Sequence, residues 1–341
     1  MKYAFLIRVS LITILTGCGT PKTTPQEAFV ARLIANSELY ELDEQSSAMG
    51  VYELSDSVTL IAGGSRAPTG GKIWRLSNGV IEEEDTPPGP ALWWIWGHET
   101  SGVWACGDQG RVLRREPSGT WIEEATPLSE DTILFGGWHN GTDVNLVVGG
   151  SYRRDGQQNI VLTRQQNGEW QQLSIPDPPE AFTFFKVWGE NPTWIVGDRG
   201  WVLKLDASEN HYFQTPTGQV LFTVHGHQQD VFAVGGQTRG EMYGLLGTDV
   251  VVQQVNFKGA LNGIFVRDGR WQLAAGSDGG VMVGHRKTWM AFPKAFRNLA
   301  NRTIHATSAR HQTFFVGGDL TRLERGFILE GPLPPNEEAI Q

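Results

Sequence analysis

Seven short units follow one another along this chain of 341 residues, and each is an apolar strand, a glycine turn and a second apolar strand. The anchoring glycines lie 38 to 48 residues apart. They are Gly63, Gly107, Gly149, Gly197, Gly235, Gly276 and Gly317. A repeat of about forty residues built from strands is typical of the blades of a propeller. The period therefore predicts an all-β fold.

The three positions before each glycine are apolar in every unit. In the second unit they are Trp104, Ala105 and Cys106. Successive side chains of a strand point to opposite faces, so three adjacent apolar positions indicate a strand that is buried on both faces. A blade that lies between two other blades requires such a strand.

Four strands can be assigned to each unit, with one gap at the end of the chain. The spacing predicts a seven-bladed β-propeller of four-stranded antiparallel blades, but the seventh unit ends after Phe327–Leu329 and lacks its outer strand. The strand-like segment Glu38–Leu42 precedes the first unit and belongs to none. We predict that it closes the last blade, which would cover an open sheet edge.

The amino terminus has the pattern of an export signal. A charged start is followed by the apolar run Val9–Leu15, which is too short to span a membrane. The next residues, Leu15-Thr16-Gly17-Cys18, resemble the bacterial lipobox, and the resemblance implies that Cys18 is acylated and becomes the new amino terminus. Gly19 is not the aspartate associated with retention in the inner membrane, so the resemblance favours the outer membrane, on its periplasmic or surface face.

These patterns divide the chain into four parts. We predict a signal peptide over 1–17, a lipidated cysteine and tether over 18–36, the propeller over 37–334 and a tail over 335–341. Cleavage would remove Lys2 and Arg8, which changes 28 basic against 37 acidic residues to 26 against 37 and gives a net charge of −11. Such a charge argues against nucleic acid as a partner. We expect a monomer.

The repeat itself has a family resemblance. The unit Val103–Leu113, preceded by Ile95-Trp96-Gly97 and followed by Trp121, resembles the repeat of secreted and lipoprotein propellers of myxobacteria and related soil bacteria. It is more distantly similar to photosystem II assembly-factor propellers and to sialidase-type propellers. The resemblance implies the fold and says little about activity.

The polar residues of the repeat favour structural roles. Aspartates recur at the turns, as at Asp108 and Asp319, where they are expected to cap the backbone. No pair of carboxylates stands out as a glycosidase would need. His225 and His227 could begin a metal site. However, a ring of flat side chains packed between the blades explains the histidines more simply. We assign to that ring Tyr52, Trp96, Phe135, Trp188, His225, Phe265 and His305.

The turns between the second and third strands differ most among the units. They are long in units one, three, five and seven, over 65–70, 151–158, 237–239 and 319–325. All of them would emerge on one face of the disc, and arginine suits carboxylates and phosphates. We therefore predict a binding surface on this face. Its residues would be Arg66, Arg111, Tyr152, Arg153, Arg154, Arg199, Arg239, Arg322 and Arg325.

The resulting prediction is a non-enzymatic, lipid-anchored scaffold of the cell envelope. Its partner would be a protein or an acidic glycan, and it would use no cofactor and no metal. Two alternatives stay open at this point. One is a glycoside hydrolase or lyase of the propeller type, and the other is an assembly factor for a membrane complex.

Overall fold

The chain folds into seven four-stranded antiparallel sheets arranged as the blades of a propeller. The computed structural model describes residues 23–335 with the exception of Glu99, Asp143, Tyr152, 154–157, Glu190, Ser208 and Thr248. Within these residues, the helix α1 (Pro25–Ala35) and the strand β1 (Glu38–Glu41) precede the first blade. The predicted fold class is confirmed.

The first four blades follow the predicted repeat. Blade 1 consists of β2 (Ser47–Ser55), β3 (Val58–Gly64), β4 (Gly71–Ser77) and β5 (Val80–Glu83). Blade 2 consists of β6 (Leu92–His98), β7 (Gly102–Gly107), β8 (Val112–Arg115) and β9 (Trp121–Glu124). Blade 3 consists of β10 (Thr132–His139), β11 (Asn145–Ser151), β12 (Ile160–Arg164) and β13 (Trp170–Gln172). Blade 4 consists of β14 (Phe184–Trp188), β15 (Thr193–Gly197), β16 (Trp201–Leu205) and β17 (His211–Gln214), with a 3-10 turn at Asp198–Gly200.

The last three blades complete the ring. Blade 5 consists of β18 (Leu221–His227), β19 (Asp230–Gly236), β20 (Gly240–Leu246) and β21 (Asp249–Val252). Blade 6 consists of β22 (Leu261–Val266), β23 (Trp271–Gly276), β24 (Val281–His285) and β25 (Thr288–Phe292), and a 3-10 turn at Arg297–Leu299 follows it. Blade 7 consists of β26 (Thr303–Ser308), β27 (Thr313–Asp319), β28 (Glu324–Gly331) and β1.

The amino-terminal strand closes the ring as predicted. Strand β1 pairs antiparallel with β28, and the register places Leu39 opposite Leu329. An ion pair accompanies this closure, because both terminal nitrogens of the buried Arg302 guanidinium donate to the exposed Glu41 carboxylate. The last blade therefore has no open outer edge at β28.

The segment before β1 is partly a helix, although we predicted a tether over 18–36. Helix α1 begins with a capping box in which Thr24 and Glu27 satisfy each other's backbone N–H groups. Phe29, Val30 and Leu33 are buried against blades 6 and 7. From residue 25 onward the chain is therefore docked on the propeller, and the rest of the predicted tether, over 18–22, lies outside the described residues.

The core consists of apolar layers between neighbouring blades. One such layer joins Leu60 and Ile73 of blade 1 to Ile95 and Leu113 of blade 2. The glycine before each turn is needed for close packing, since a Cβ at Gly107 would lie 2.0 Å from the carbonyl oxygen of Ala91. The first strand of every blade faces the axis, so seven inner strands surround a central channel.

The two faces of the disc differ in their connections. The loop face carries the turns between the second and third strands of each blade and the links between blades. The hairpin face carries the other two turns of each blade. This follows from the antiparallel order of the strands within every sheet.

Candidate functional site

Each inner strand has a β-bulge near the loop face, a feature that the repeat pattern does not predict. The bulge inserts one unpaired residue before the strand continues, and it aims that side chain at the channel mouth. These bulge residues are Met49, Trp93, Phe135, Phe185, Phe222, Asn262 and His305. All seven line one cavity of about 230 Å³, which we call the cup.

One side of the cup is an arc of four aromatic rings. The ring centroids of Trp93 and Phe135 lie 5.5 Å apart, edge to face, and those of Phe135 and Phe185 lie 5.0 Å apart in the same arrangement. Phe222 continues the arc at 6.1 Å from Phe185. The indole nitrogen of Trp93 donates to the Asp108 carboxylate at 2.6 Å, which fixes the first ring. The arc is therefore a rigid apolar wall.

The other side of the cup is more polar. Asn262 and His305 are each only 7% exposed. Within the described part of the chain, Asn262 Oδ1 and His305 Nε2 have no hydrogen-bond partner. Burial lowers the pKa of His305 to about 4, so the ring is neutral at neutral pH. Met49 and Leu320 complete this side.

Lys186 lies at the floor of the cup, one position after the bulge of blade 4. Its partly buried side chain lines both the cup and the cavity that opens on the hairpin face. The Nζ atom lies 4.1 Å from the centroid of the Trp94 ring and donates to the carbonyl oxygen of Phe135. Burial lowers the pKa of Lys186 to about 7. Among the described residues, no carboxylate lies within 4.0 Å of Nζ.

A circle of mostly aromatic side chains surrounds the mouth of the channel on the hairpin face. The residues opposite the large apolar position of each second strand are Tyr52, Trp96, Trp138, Trp188, His225, Phe265 and Ser308. Our assignment of Phe135 and His305 to this ring was therefore wrong. Both are bulge residues near the loop face, and an inserted residue cannot be located by counting along the sequence.

His225 and Glu53 have structural roles at this second mouth. His225 Nδ1 accepts a hydrogen bond from the Val266 N–H, and the His225 ring stacks on Phe265 at 4.5 Å. Burial, with a smaller effect of Arg310, lowers the pKa of His225 to about 3. The Glu53 carboxylate accepts hydrogen bonds from Ser308 Oγ and from the backbone N–H groups of residues 310–312.

No group of three His, Cys, Asp or Glu side chains within the described residues could hold a metal ion. The metal site considered for His225 and His227 therefore has no third ligand there.

Within the described residues, no helix is long and apolar enough to cross a membrane. Cys106 is a buried thiol whose pKa is raised by burial.

The predicted arginines differ in exposure, and Arg111 is the buried one among those that the structure describes. Arg111 is 4% exposed, and its guanidinium donates to the carbonyl oxygens of Pro87 and Pro90 and to Glu123 at 3.2 Å. Arg111 therefore connects blade 2 to the link that leads from blade 1. The N–H groups of its guanidinium are directed at residues of its own chain.

The other described arginines are exposed on the loop face. Arg66 Nε donates to the Thr321 carbonyl oxygen at 3.2 Å, and Arg199 pairs with Glu180 at 2.6 Å. Arg239 makes a long contact of 3.4 Å with the Val255 carbonyl oxygen.

The remaining predicted arginines lie in the longest turns. Arg153, Arg322 and Arg325 are exposed. Arg322 and Arg325 have no carboxylate within 4.0 Å among the described residues. Tyr152, Arg154 and Cys18 lie outside the described residues.

The cup and the arginines thus share one face. The turn that carries Arg322 also supplies Leu320 to the cup wall, and Leu323 packs on Met49 beneath it. Arg66 holds this turn from the neighbouring blade. A ligand at the cup would therefore meet an apolar wall, a buried amine and peripheral guanidinium groups.

Similarity to solved structures identifies the fold. No family model and no curated protein matches the chain. A catalytically inactive virginiamycin B lyase from Staphylococcus aureus with quinupristin is similar at a TM-score of 0.63 and 10% identity, over 86% of this chain and 99% of that one. YCF48 from Cyanidioschyzon merolae is similar at 0.64 and 12% identity, over 87% and 98%.

The WD40 repeats of RRP9 are similar at a TM-score of 0.66 and 11% identity, over 87% of this chain and 97% of that one. All three identities are far below the level at which activity can be transferred. The class is therefore the β-propeller, and its similar structures include both an enzyme and WD40 repeats.

Proposed function

We propose that this propeller is a non-enzymatic binding scaffold that holds a protein or acidic glycan partner on its loop face. The observation that carries the proposal is the aromatic cup on the axis of the same face that presents Arg322 and Arg325. An aromatic centre surrounded by arginine is the composition that protein-binding surfaces favour. Arginine can also pair with the carboxylates of an acidic glycan.

The channel chemistry favours a scaffold over a hydrolase or lyase. Among the described residues that line the two channel cavities, Glu53 is the one carboxylate. Its oxygens already accept hydrogen bonds from the loop 310–312 and from Ser308. Carboxylate chemistry on a glycan needs two positioned carboxyl groups. A role in assembling a membrane complex is a special case of the binding proposal, with a subunit of the complex as partner.

We further propose that Cys18 anchors the chain to the envelope with the loop face turned away from the membrane. Helix α1 starts at the hairpin face, because Gln26 Nε2 donates to the carbonyl oxygen of Thr288, the first residue of β25 after its turn from β24. Strand β1 also starts there, with Glu38 opposite Glu330. Thr24 lies six positions after Cys18, a span of at most about 22 Å. A lipid on Cys18 would therefore lie nearest the hairpin face.

The partner proposal is tested by affinity purification from native membranes with quantitative mass spectrometry. The test variant is Arg322→Glu with Arg325→Glu on the loop face. The control is Arg310→Glu, which reverses an exposed arginine beside the opposite mouth. We expect the loop-face variant to lose a protein that the wild type and the control retain. Identical sets of proteins from all three would contradict the proposal.

A further inference from the structure

Lys186 is an amine in the central channel, and no carboxylate of the described residues lies within 4.0 Å of its Nζ atom. Its described contacts are the face of the Trp94 ring and the carbonyl oxygen of Phe135. Neither of these neutralises an ammonium group, and a buried charge is costly unless an ion of opposite sign pairs with it. A carboxylate that reached Nζ from the cup would supply that ion and would form a charge-assisted hydrogen bond.

The space above Lys186 suits an apolar body of limited size. The cavity of about 230 Å³ is walled by Trp93, Phe135, Phe185 and Phe222. Pockets for complete drug-sized ligands are larger, from about 300 Å³ upward. The cup therefore fits a single aromatic or branched group, either as a free small molecule or as the end of a longer chain.

The polar side of the cup adds a second requirement. Asn262 Oδ1 is a buried acceptor, and His305 Nε2 is a buried ring nitrogen, and both are unpartnered among the described residues. Leaving such buried groups without a partner is unfavourable. A ligand with an amide N–H or a hydroxyl near its carboxylate would satisfy the amide oxygen.

We infer that the cup binds, end-on, a free carboxylate carried on an apolar body with a hydrogen-bond donor beside it, and that Lys186 Nζ holds the carboxylate. Two sources have this chemistry, namely a small N-acyl or hydroxy acid and the carboxyl-terminal residue of a partner protein. The cup lies on the face for which a binding role was proposed, so this ligand class deepens that role. The test uses purified protein and defined ligands, and so it can fail while the partner experiment succeeds.

The experiment is isothermal titration calorimetry of the purified chain with N-acetylphenylalanine and with its carboxamide at pH 6. We expect the acid to bind at least tenfold more tightly than the amide. Lys186→Met should weaken binding of the acid at least tenfold. Lys204→Met is the matched control, because Lys204 Nζ also lies over an indole ring, that of Trp194 at 6.0 Å, but on the third strand of blade 4. It should bind the acid within twofold of the wild type.

A second pair of ligands distinguishes the sources. These are a ten-residue peptide that ends in phenylalanine with a free carboxylate and the same peptide amidated. Binding of the free-carboxylate peptide identifies a chain end as the ligand, whereas binding of the small acid alone identifies a small molecule. If Lys186→Met does not fold, Lys186→Gln replaces it. The comparison of the acid with the amide is made on the wild type and does not depend on either variant. Equal binding of acid and amide, no binding of either acid, or unchanged binding by the Lys186 variant would overturn the inference.

Discussion

The indole nitrogen of Trp170 in blade 3 donates a hydrogen bond of 2.9 Å to the carboxylate of Glu124, which ends blade 2. The same carboxylate accepts two hydrogen bonds from Arg164 at 2.6 and 3.0 Å. The arrangement repeats one blade earlier, where Glu84 accepts from Trp121 and from Arg115. Trp121 and Trp170 are buried in the core, and they therefore also connect neighbouring blades through their polar edge.

We expect Glu124→Gln to destabilise the fold by about 2 kcal/mol, since it removes a largely buried charge that pairs with arginine. Burial tends to raise the pKa of Glu124, but the hydrogen bonds from Arg164 and Trp170 outweigh it and lower the pKa. The measurement is urea unfolding at pH 7. Glu169→Gln, an exposed glutamate on the same blade as Trp170, is the control and should change stability little. Equal effects of the two substitutions would show that the inter-blade contact contributes nothing.

The closing strand gives a second prediction. Removal of residues 37–43 deletes β1 and the Glu41 partner of Arg302, and it exposes the edge of β28. We expect the melting temperature to fall by at least about 5 °C. A truncation that removes only residues 1–22 is the control, and it should melt like the full chain. An unchanged melting temperature without β1 would contradict the closure of the ring.

Lys186 should make stability depend on pH in the alkaline range. Its pKa of about 7 in the folded chain is below the ordinary lysine value, so the unfolded chain binds more protons between the two values. Stability contributed by this site therefore rises with pH above 7, by at most about 1.4 kcal/mol per pH unit.

The measurement is urea unfolding of the wild type and Lys186→Met from pH 6 to pH 9.5. We expect the wild type to gain stability relative to the variant as the pH rises. Lys204→Met should instead follow the wild type across the range. Parallel curves for the wild type and Lys186→Met would mean that the amine is not desolvated.

His305 should make stability rise with pH in the same way, but in the acid range. Burial lowers its pKa to about 4, so the unfolded chain takes up a proton first as the pH falls through 6.5. The wild type should lose stability between pH 6.5 and pH 4 on this account. His305→Leu should lose less over the same range, measured by thermal unfolding. A replacement at the partly exposed His311 is the control, and a variant at His305 with the acid sensitivity of the wild type would contradict the prediction.

The repeat, the number of blades and the closing strand could be predicted from the sequence, because glycine turns and apolar strands recur at a nearly constant spacing. The cup could not be predicted in this way. The bulges at Trp93 and Asn262 arise from strand register, and register is a property of paired strands. Lys186 occupies the position that is Gly136 in blade 3 and Thr223 in blade 5, and only this alignment identifies it as a channel residue.

Some of what we missed did have a sequence signal. Thr24-Pro25-Gln26-Glu27 has the spacing of a capping box, and Phe29, Val30 and Leu33 follow at helical spacing. The burial of Arg111 had no such signal, because its partners are two carbonyl oxygens in the link between blades. Among the predicted binding residues, the exposed Arg322 and Arg325 remain the strongest candidates.

The loop face, with the cup at its axis, is the surface on which we propose that the partner binds. Photo-crosslinking in cells tests this, with a photoreactive amino acid at Thr321 on the loop face or at Gln228 in the turn between β18 and β19 on the hairpin face. Both positions are exposed. We predict a discrete adduct from position 321 that disappears with Arg322→Glu and Arg325→Glu, and no such adduct from position 228. An adduct from position 228 alone would contradict the account.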